Sequence, residues 1–330
     1  MRIRRRSALL LGGLLALTPA LVSCAVARDT RTVANYFTDR PRVRSVKDSF
    51  NTADAADQVI IDLELEEDVS ADDVAALFAD AEPVLREETT FPVYVTASWS
   101  HHGVRMDKCA QAVFNAPSAS MVYDGNLLRA GVEGALTVAT GTARTVGCGR
   151  ITDRVDGEAP ALSYTVDHGS ADTLPDDVAL TLPQDLARGG YDVLLEQKVV
   201  LADWEVSVAV TSREGAASAK GVPVDGLVAA LPQPSRYSWL TVGDSPLLPE
   251  DVAIGVGMEV SDEDGLVSLG AAAVRALEKN GWHGIVRVRG TGGGTVRDVL
   301  LDTSTSPATV VSESETATGL GEQMREGARA

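Results

Sequence analysis

The order strand, helix, strand occurs three times in this 330-residue chain and limits the folds open to it. In residues 58–66 and 91–99, apolar and polar residues alternate, which is the pattern of strands with one buried face. The segment between them carries apolar residues at helical spacing. Residues 204–242 and 252–289 repeat this order without a shared sequence motif. Because strands of doubly wound sheets are apolar on both faces, the alternation predicts mixed or antiparallel sheets with helices packed on one face.

Local signals predict where these elements begin and end. Ser70, with Asp73 three positions later, predicts a capping box for the first helix, and Pro83 predicts its end or a kink. Asn280-Gly281 predicts the end of the third helix, because these residues favour a left-handed backbone. The glycine-rich residues 290–294 predict a hairpin between two further strands.

The first 23 residues have the layout of an export signal. The cluster Arg4-Arg5-Arg6 precedes an apolar run from Ala8 to Leu17, and Pro19 interrupts its far end. A helix that spans a membrane needs roughly 20 apolar residues, so we expect no permanent transmembrane helix here. Arg5-Arg6 also loosely resembles a twin-arginine export signal, which leaves the export route open.

The run ends in Leu21-Val22-Ser23-Cys24, which resembles the lipobox of bacterial lipoproteins. In that family the peptide bond before the cysteine is cut and the cysteine thiol is diacylated. The resemblance therefore implies lipidation of Cys24 and a lipid anchor in the cell membrane, with the protein on its extracytoplasmic side. Two acyl chains give stable attachment where one is marginal, since each buried methylene contributes about 0.8 kcal/mol.

The other two cysteines form an even pair in a chain expected to leave the reducing cytosol. We therefore predict a disulfide between Cys109 and Cys148. Closing a loop of this length stabilises the fold by about 4 kcal/mol in the chain-entropy model.

These signals together predict an α+β fold, which two ferredoxin-like sandwiches would satisfy. The hydrophobic fraction is 45% but the aromatic fraction only 5%, so the core must be mainly aliphatic. The predicted organisation is a signal peptide over 1–23, a lipidated tether over 24–42, a first α+β domain over 43–155, a second over 156–303, and a disordered tail over 304–330. Val33, Tyr36 and Phe37 share a helical face, which allows one short helix within the tether.

The charge of the chain excludes one class of partner and suggests another. The formal charge is −18, and it becomes −22 without the four arginines of residues 1–23, so we expect no nucleic-acid binding. Residues 25–50 instead carry six basic and three acidic residues. Two interpretations remain open: Arg40, Arg42 and Arg44 contact anionic lipid headgroups, or Arg42 and Arg44 are the solvated face of an edge strand around Val43.

Candidate sites in the sequence favour structural roles. His101-His102 with Asp107 contains metal-ligand types, but adjacent residues on a strand point to opposite faces, so we expect no metal there. Asp262 to Gly265 lacks the later ligands of a calcium loop and is interpreted as a helix start. Residues 292–294 are interpreted as a hairpin turn, since no helix or Lys-Ser/Thr pair follows. We expect no catalytic, cofactor-binding or metal residues.

The sequence thus favours a membrane-anchored, non-enzymatic binding or structural module of the cell envelope. Its expected partners are the membrane, through the lipid at Cys24, and an envelope protein or a small-molecule ligand. Two alternatives remain open: an envelope hydrolase with dispersed acid and base residues, and a solute receptor of an importer. The receptor is less favoured, because such proteins usually have parallel-sheet lobes.

Overall fold

The computed structural model describes residues 27–51, 58–115, 123–151, 161–186, 191–213, 216–235, 237–245, 248–249, 251–260 and 262–330. These residues form thirteen strands and six helices, which confirms the α+β fold class. No helix in the described ranges is both long enough and apolar enough to cross a membrane. The predicted signal peptide and Cys24, the predicted site of lipidation, lie outside the described residues. The chain divides into two compact units, 1–136 and 137–330.

The first unit begins with two helix-plus-hairpin segments. Its elements are α1 (27–38), β1 (Val43–Asn51), β2 (Gln58–Leu65), α2 (Ala71–Glu88), β3 (Val93–His101), β4 (Val104–Phe114) and most of α3 (Gly125–Val138). Strands β1 and β2 form an antiparallel pair, as do β3 and β4. Helix α2 crosses between them, so β2 and β3 pair in parallel.

The second unit continues the same pattern. Its elements are β5 (Thr145–Ile151), β6 (Ala161–Ala171), β7 (Asp192–Leu201), β8 (Trp204–Thr211), α4 (Val224–Ala230), β9 (Trp239–Gly243), β10 (Val252–Glu259), α5 (Glu263–Lys279), β11 (Ile285–Gly292), β12 (Thr295–Asp302), β13 (Thr309–Glu313) and α6 (Leu320–Arg329). Strands β5 to β13 are neighbours in sequence order. Parallel pairing joins β6 to β7, β8 to β9 and β10 to β11, and the other pairs are antiparallel.

The hairpins recur at a nearly constant interval. Their first strands begin at residues 43, 93, 145, 192, 239 and 285, so successive starts are 46 to 52 residues apart. Intervals of this size are typical of repeated supersecondary units. Helices make the crossovers predicted by the three strand-helix-strand patterns, whereas residues 172–186, in the connection from β6 to β7, form no helix. Buried Gln197 of β7 holds that connection by exchanging two hydrogen bonds with the backbone of Ala179.

In β2 and β7 the core lies on one side of the strand, whereas β8, β9 and β10 are buried on both faces over much of their length. Alternate residues of β2 are buried, and β7 shows the same alternation over its whole length. Among the described residues, Trp99 and Trp204 are the largest fully buried side chains, and the core around the strands is mainly aliphatic. A ferredoxin-like sandwich would place another strand between the two strands that a helix connects, whereas here those strands pair directly.

The predicted helix start at Ser70 and the predicted helix end at Asn280-Gly281 agree with the structure. Ser70 and Asp73 form the capping box, each side chain bonding the backbone N–H of the other residue. Asn280 follows α5, and Gly281 adopts the left-handed conformation with φ of +66°. Helix α2 continues through Pro83 to Glu88 rather than ending there.

The structure differs from the predicted organisation at three places. The units divide at 136/137 rather than at 155/156, and residues 152–160, where the boundary was expected, are outside the described residues. Most of the predicted tether is helix α1, because Val33 and Phe37 are fully buried one turn apart. The predicted Cys109–Cys148 disulfide is present.

The predicted disordered tail over 304–330 is the third difference, since this segment contains β13 and α6. Its apolar residues are few, but Ala317, Leu320 and Met324 recur at helical spacing and are buried. The Met324 side chain lies directly over Gly270 of α5, where the missing Cβ leaves room for it. Spacing, rather than average composition, therefore determines whether this segment docks.

We predict that Met324→Ala lowers the free energy of unfolding by about 2–5 kcal/mol, because it leaves a cavity between α5 and α6. Gln323→Ala, on the exposed side of the same helix, is the matched control and should change it by less than about 0.5 kcal/mol. Urea denaturation followed by circular dichroism measures both. Equal stability of the two variants would show that α6 does not contribute to the core.

Candidate functional site

A basic surface lies on the first helix and the first strand. We define it by Arg31, Arg40, Arg42, Arg44 and Lys47; all of these side chains are exposed except that of Arg40, which is half-buried. Helix α1 begins three residues after Cys24, so this surface is the part of the described chain nearest in sequence to the expected lipid.

Two side chains of the basic surface have local partners. The Arg40 guanidinium lies 4.0 Å from the centre of the Tyr36 ring, and Arg42 forms a 3.2 Å ion pair with Glu66. The pair is exposed on both sides, so it contributes little to stability and leaves the cation accessible. Strand β1 pairs in the first unit with β2 alone, so its charges also protect an open strand edge. Both interpretations of the basic residues are therefore compatible with the fold.

A second cluster joins Asp68 to His101 and His102. Asp68 lies in the loop between β2 and α2, and the histidines lie where β3 turns into β4. The Asp68 Oδ1 atom is 3.4 Å from Nδ1 of His101 and 3.3 Å from Nδ1 of His102. The ring centres of the two histidines are 4.1 Å apart.

This geometry corrects the expectation that the two rings point to opposite faces. Strand β3 ends at His101, and His102 is the first residue of a two-residue turn with φ of +49°. The turn brings both rings to the same side. The carboxylate in the cluster is Asp68, whereas Asp107 lies 3.5 Å from the Ser98 hydroxyl. Gly103 after His102 was the available sequence signal for the turn, but no local signal indicated Asp68.

The environment of His101 favours its neutral form. Burial lowers the pKa of His101, and the neighbouring His102 lowers it further, while Asp68 acts in the opposite direction. A neutral imidazole offers one nitrogen lone pair, which is the form that binds metal ions. The Nδ1 atom of His101 is buried and has no hydrogen-bond partner among the described residues.

A third cluster surrounds His168 in the second unit. The side chain of His168 is only 2% exposed, and its Nδ1 atom lies 2.8 Å from the Thr142 hydroxyl. That hydroxyl also donates to Asp177 at 2.9 Å. A hydroxyl has one proton, so Nδ1 carries the imidazole proton and donates to Thr142. The Nε2 atom then holds a lone pair and is buried without a partner in the described structure.

Burial shifts the pKa of the histidine in this cluster, and hydrogen bonds shift the pKa of the aspartate. Burial lowers the pKa of His168, and the nearby Asp177 and Asp167 only partly oppose that effect. Burial alone would raise the pKa of Asp177, but hydrogen bonds from the Thr142 backbone and hydroxyl bring it below its ordinary value. The cluster ties the loop that contains Asp177 to β6, which is a structural role.

Other polar groups on the surface are occupied by internal contacts. Arg287 and Arg289 both form ion pairs with Asp298, and the Arg275 guanidinium donates to the carbonyl oxygens of Gly327 and Ala328. A 440 Å³ groove beside Arg275 is open to solvent. It brings together no pair of titratable groups suited to acid–base catalysis.

The remaining sequence candidates have structural positions. Asp262 caps α5 by accepting a 2.9 Å hydrogen bond from the N–H of Gly265, and Glu263 and Asp264 lie in the first turn, where acidic residues favour the helix dipole. Gly293 and Gly294 form the turn between β11 and β12 with φ of +58° and +79°, as hairpin turns of this length require.

Comparison with known proteins gives no relative for this chain: no family model, no curated protein and no solved structure matches it.

The buried His168 predicts a loss of stability in acid. Because its pKa is lowered in the folded state, the unfolded chain binds a proton more readily below the ordinary value of about 6.5. The free energy of unfolding should therefore fall as the pH decreases from 7 to 5, by up to about 1.4 kcal/mol per pH unit from this group.

His168→Asn should reduce that slope, whereas His283→Asn, which removes an exposed imidazole, serves as the matched control. Urea titrations at several pH values measure the slopes. The assignment fails if both variants retain the slope of the original chain.

Proposed function

We propose that this chain is a lipid-anchored, non-enzymatic protein on the extracytoplasmic face of the cell membrane, where its body binds an envelope protein or a small ligand. The observation that carries the proposal is the use of the three cysteines. Cys109 and Cys148 are bonded to each other, and the remaining Cys24 lies at the end of the lipobox-like sequence. The chain then has no other cysteine with which Cys24 could form a disulfide, so the Cys24 thiol is available for acylation.

The position of α1 supports a short connection between lipid and body. Two residues separate Cys24 from the start of this helix at residue 27, and three residue steps span about 10 Å at most. The helix itself is docked, because the buried carboxylate of Asp29 accepts hydrogen bonds from the backbone N–H groups of Thr90 and Phe91. A lipid on Cys24 would thus hold the body close to the headgroups.

The basic surface supports the same orientation. Cations near an anionic membrane surface each gain about 1 kcal/mol, and the attraction falls off within a Debye length. The short connection brings these residues into that range, while the acidic remainder of the chain is repelled by the same headgroups. The charge distribution thus favours contact between the anionic headgroups and the surface formed by α1 and β1.

The hydrolase alternative has less support in the described residues. It calls for a carboxylate and a histidine together in a deep pocket, because exclusion of water strengthens their electrostatic effects. Asp68 does meet His101 and His102, but the side chains of Asp68 and His102 are 51% and 74% exposed. This arrangement favours binding at a surface over catalysis in a closed site.

Replacing Cys24 by Ala should move the protein from the membrane fraction to the soluble fraction when it is expressed in a bacterium. The change removes the only thiol expected to carry acyl chains. Cell fractionation and mass spectrometry of the amino-terminal peptide provide the measurements. As a control, Cys109→Ala with Cys148→Ala should leave the protein in the membrane. An unmodified Cys24 in the original protein would refute the anchor.

The basic surface gives a separate prediction, measured with the unlipidated Cys24→Ala chain. Replacing Arg40, Arg42 and Arg44 by Gln should weaken binding to vesicles that contain anionic lipid by about 10- to 100-fold, given about 1 kcal/mol per cation. Replacing the exposed Arg86, Arg129 and Lys220 by Gln is the control, because it changes the net charge equally. If both triple variants bind equally, these arginines serve only the strand edge.

A further inference from the structure

We infer that Asp68, His101 and His102 form a binding site for one divalent transition-metal ion of the zinc type. The set combines two imidazoles with one carboxylate, and zinc accepts both ligand types, whereas Mg²⁺ and Ca²⁺ prefer sites made of oxygen ligands alone. The three residues each offer a ligand atom, and these atoms lie within 4.8 Å of one another. The inference is independent of the lipid anchor.

The separations between ligand atoms suit such an ion. Zinc lies about 2.0–2.2 Å from imidazole nitrogen and carboxylate oxygen, so tetrahedral coordination places neighbouring ligand atoms about 3.4 Å apart. The Oδ1 atom of Asp68 is 3.4 Å from His101 Nδ1 and 3.3 Å from His102 Nδ1. These two separations match a tetrahedral ion, and all three ligand atoms lie within 4.8 Å of one another.

The backbone holds the cluster together before any ion binds. The Asp68 N–H donates to the Ser100 carbonyl oxygen at 2.9 Å, and the His102 N–H donates to Asp68 Oδ1 at 2.7 Å. Both Asp68 and His102 have left-handed backbones, with φ of +56° and +49°. Such conformations are uncommon outside glycine and are enriched at ligand sites. An ionised carboxylate has further lone pairs, so this hydrogen bond does not prevent metal binding.

A purely structural role leaves one group unexplained. The hydrogen bond from His102 accounts for Asp68 as a loop-to-turn tie, and exposure of 74% accounts for the His102 ring. Neither accounts for Nδ1 of His101, which is buried without a hydrogen-bond partner and lies 3.4 Å from the carboxylate. Buried polar atoms are rarely left unsatisfied, and a metal ion would satisfy this one.

The exposed positions of Asp68 and His102 indicate an open site. Three protein ligands leave a fourth position of a tetrahedral ion free, and water reaches it at this surface. A water molecule, or a ligand group supplied by a binding partner, completes the coordination. Of the four histidines in the chain, this surface contains two, while His168 is buried.

Isothermal titration calorimetry of the chelator-treated full chain with Zn²⁺ tests the site. We expect one Zn²⁺ per chain, in the presence of excess Mg²⁺. Asp68→Asn, His101→Asn and His102→Asn should each weaken binding by at least about tenfold, since even residues behind the ligands contribute 10- to 100-fold. Asp107→Asn, which removes the neighbouring carboxylate outside the cluster, should change the affinity by less than twofold.

A second measurement separates ligand loss from misfolding. Co²⁺ bound in a four-coordinate site absorbs visible light more strongly than hydrated Co²⁺, and this absorption should disappear in His102→Asn. That variant changes an exposed side chain, so its circular dichroism should match the original chain. The site is refuted if Zn²⁺ does not bind, if excess Mg²⁺ displaces it, or if Asp107→Asn is as damaging as Asp68→Asn.

Discussion

Parallel pairing between successive hairpins is the interaction on which this structure depends. A parallel pair needs a connection that crosses the sheet, and that connection covers one face of the strands it joins. The covered face must be apolar and the other face is free to be polar, which is why β2 and β7 alternate so regularly. Each crossover therefore imposes the sequence pattern of the strands on either side of it.

The nature of the crossover is less constrained than its existence. Helices α2, α4 and α5 cross between paired strands, but residues 172–186 take part in an equivalent crossover without a helix. There the Gln197 side chain forms two hydrogen bonds with the backbone of Ala179, and these take the place of helix packing. What the strands require is cover for their apolar face and partners for buried polar groups, and a loop can supply both.

The sequence predicts local structure better than it predicts which segments belong to the core. The capping box of Ser70 and the stop at Asn280-Gly281 are determined within one helical turn, and both were correctly predicted. A short helix in the tether was predicted from the shared face of Val33, Tyr36 and Phe37, but the docking of α6 was missed, because a few apolar residues in a polar segment suffice when their spacing is helical. The strand order was also missed, since pairing depends on contacts far apart in sequence.

The same limitation explains the candidate metal site. His101 and His102 were recognised as potential ligands, but their common orientation depends on the end of β3 falling between them. A shift of one residue at a strand end reverses the direction of a side chain, and strand ends are the least predictable positions. Asp68 comes from a loop more than 30 residues away, held by a backbone hydrogen bond to Ser100 that no local pattern specifies.

The two histidine–carboxylate clusters show that burial, more than residue type, determines what such a group can do. His168 and Asp177 lie inside the second unit and both hydrogen-bond the Thr142 hydroxyl, so these polar atoms hold a loop in place. Asp68 and His102 meet at a surface, and water and ions can reach them. An ion that entered the cluster around His168 would have to displace packed side chains. An ion that binds at Asp68 and His102 needs only to displace water. The surface cluster is therefore the one that is suited to reversible binding.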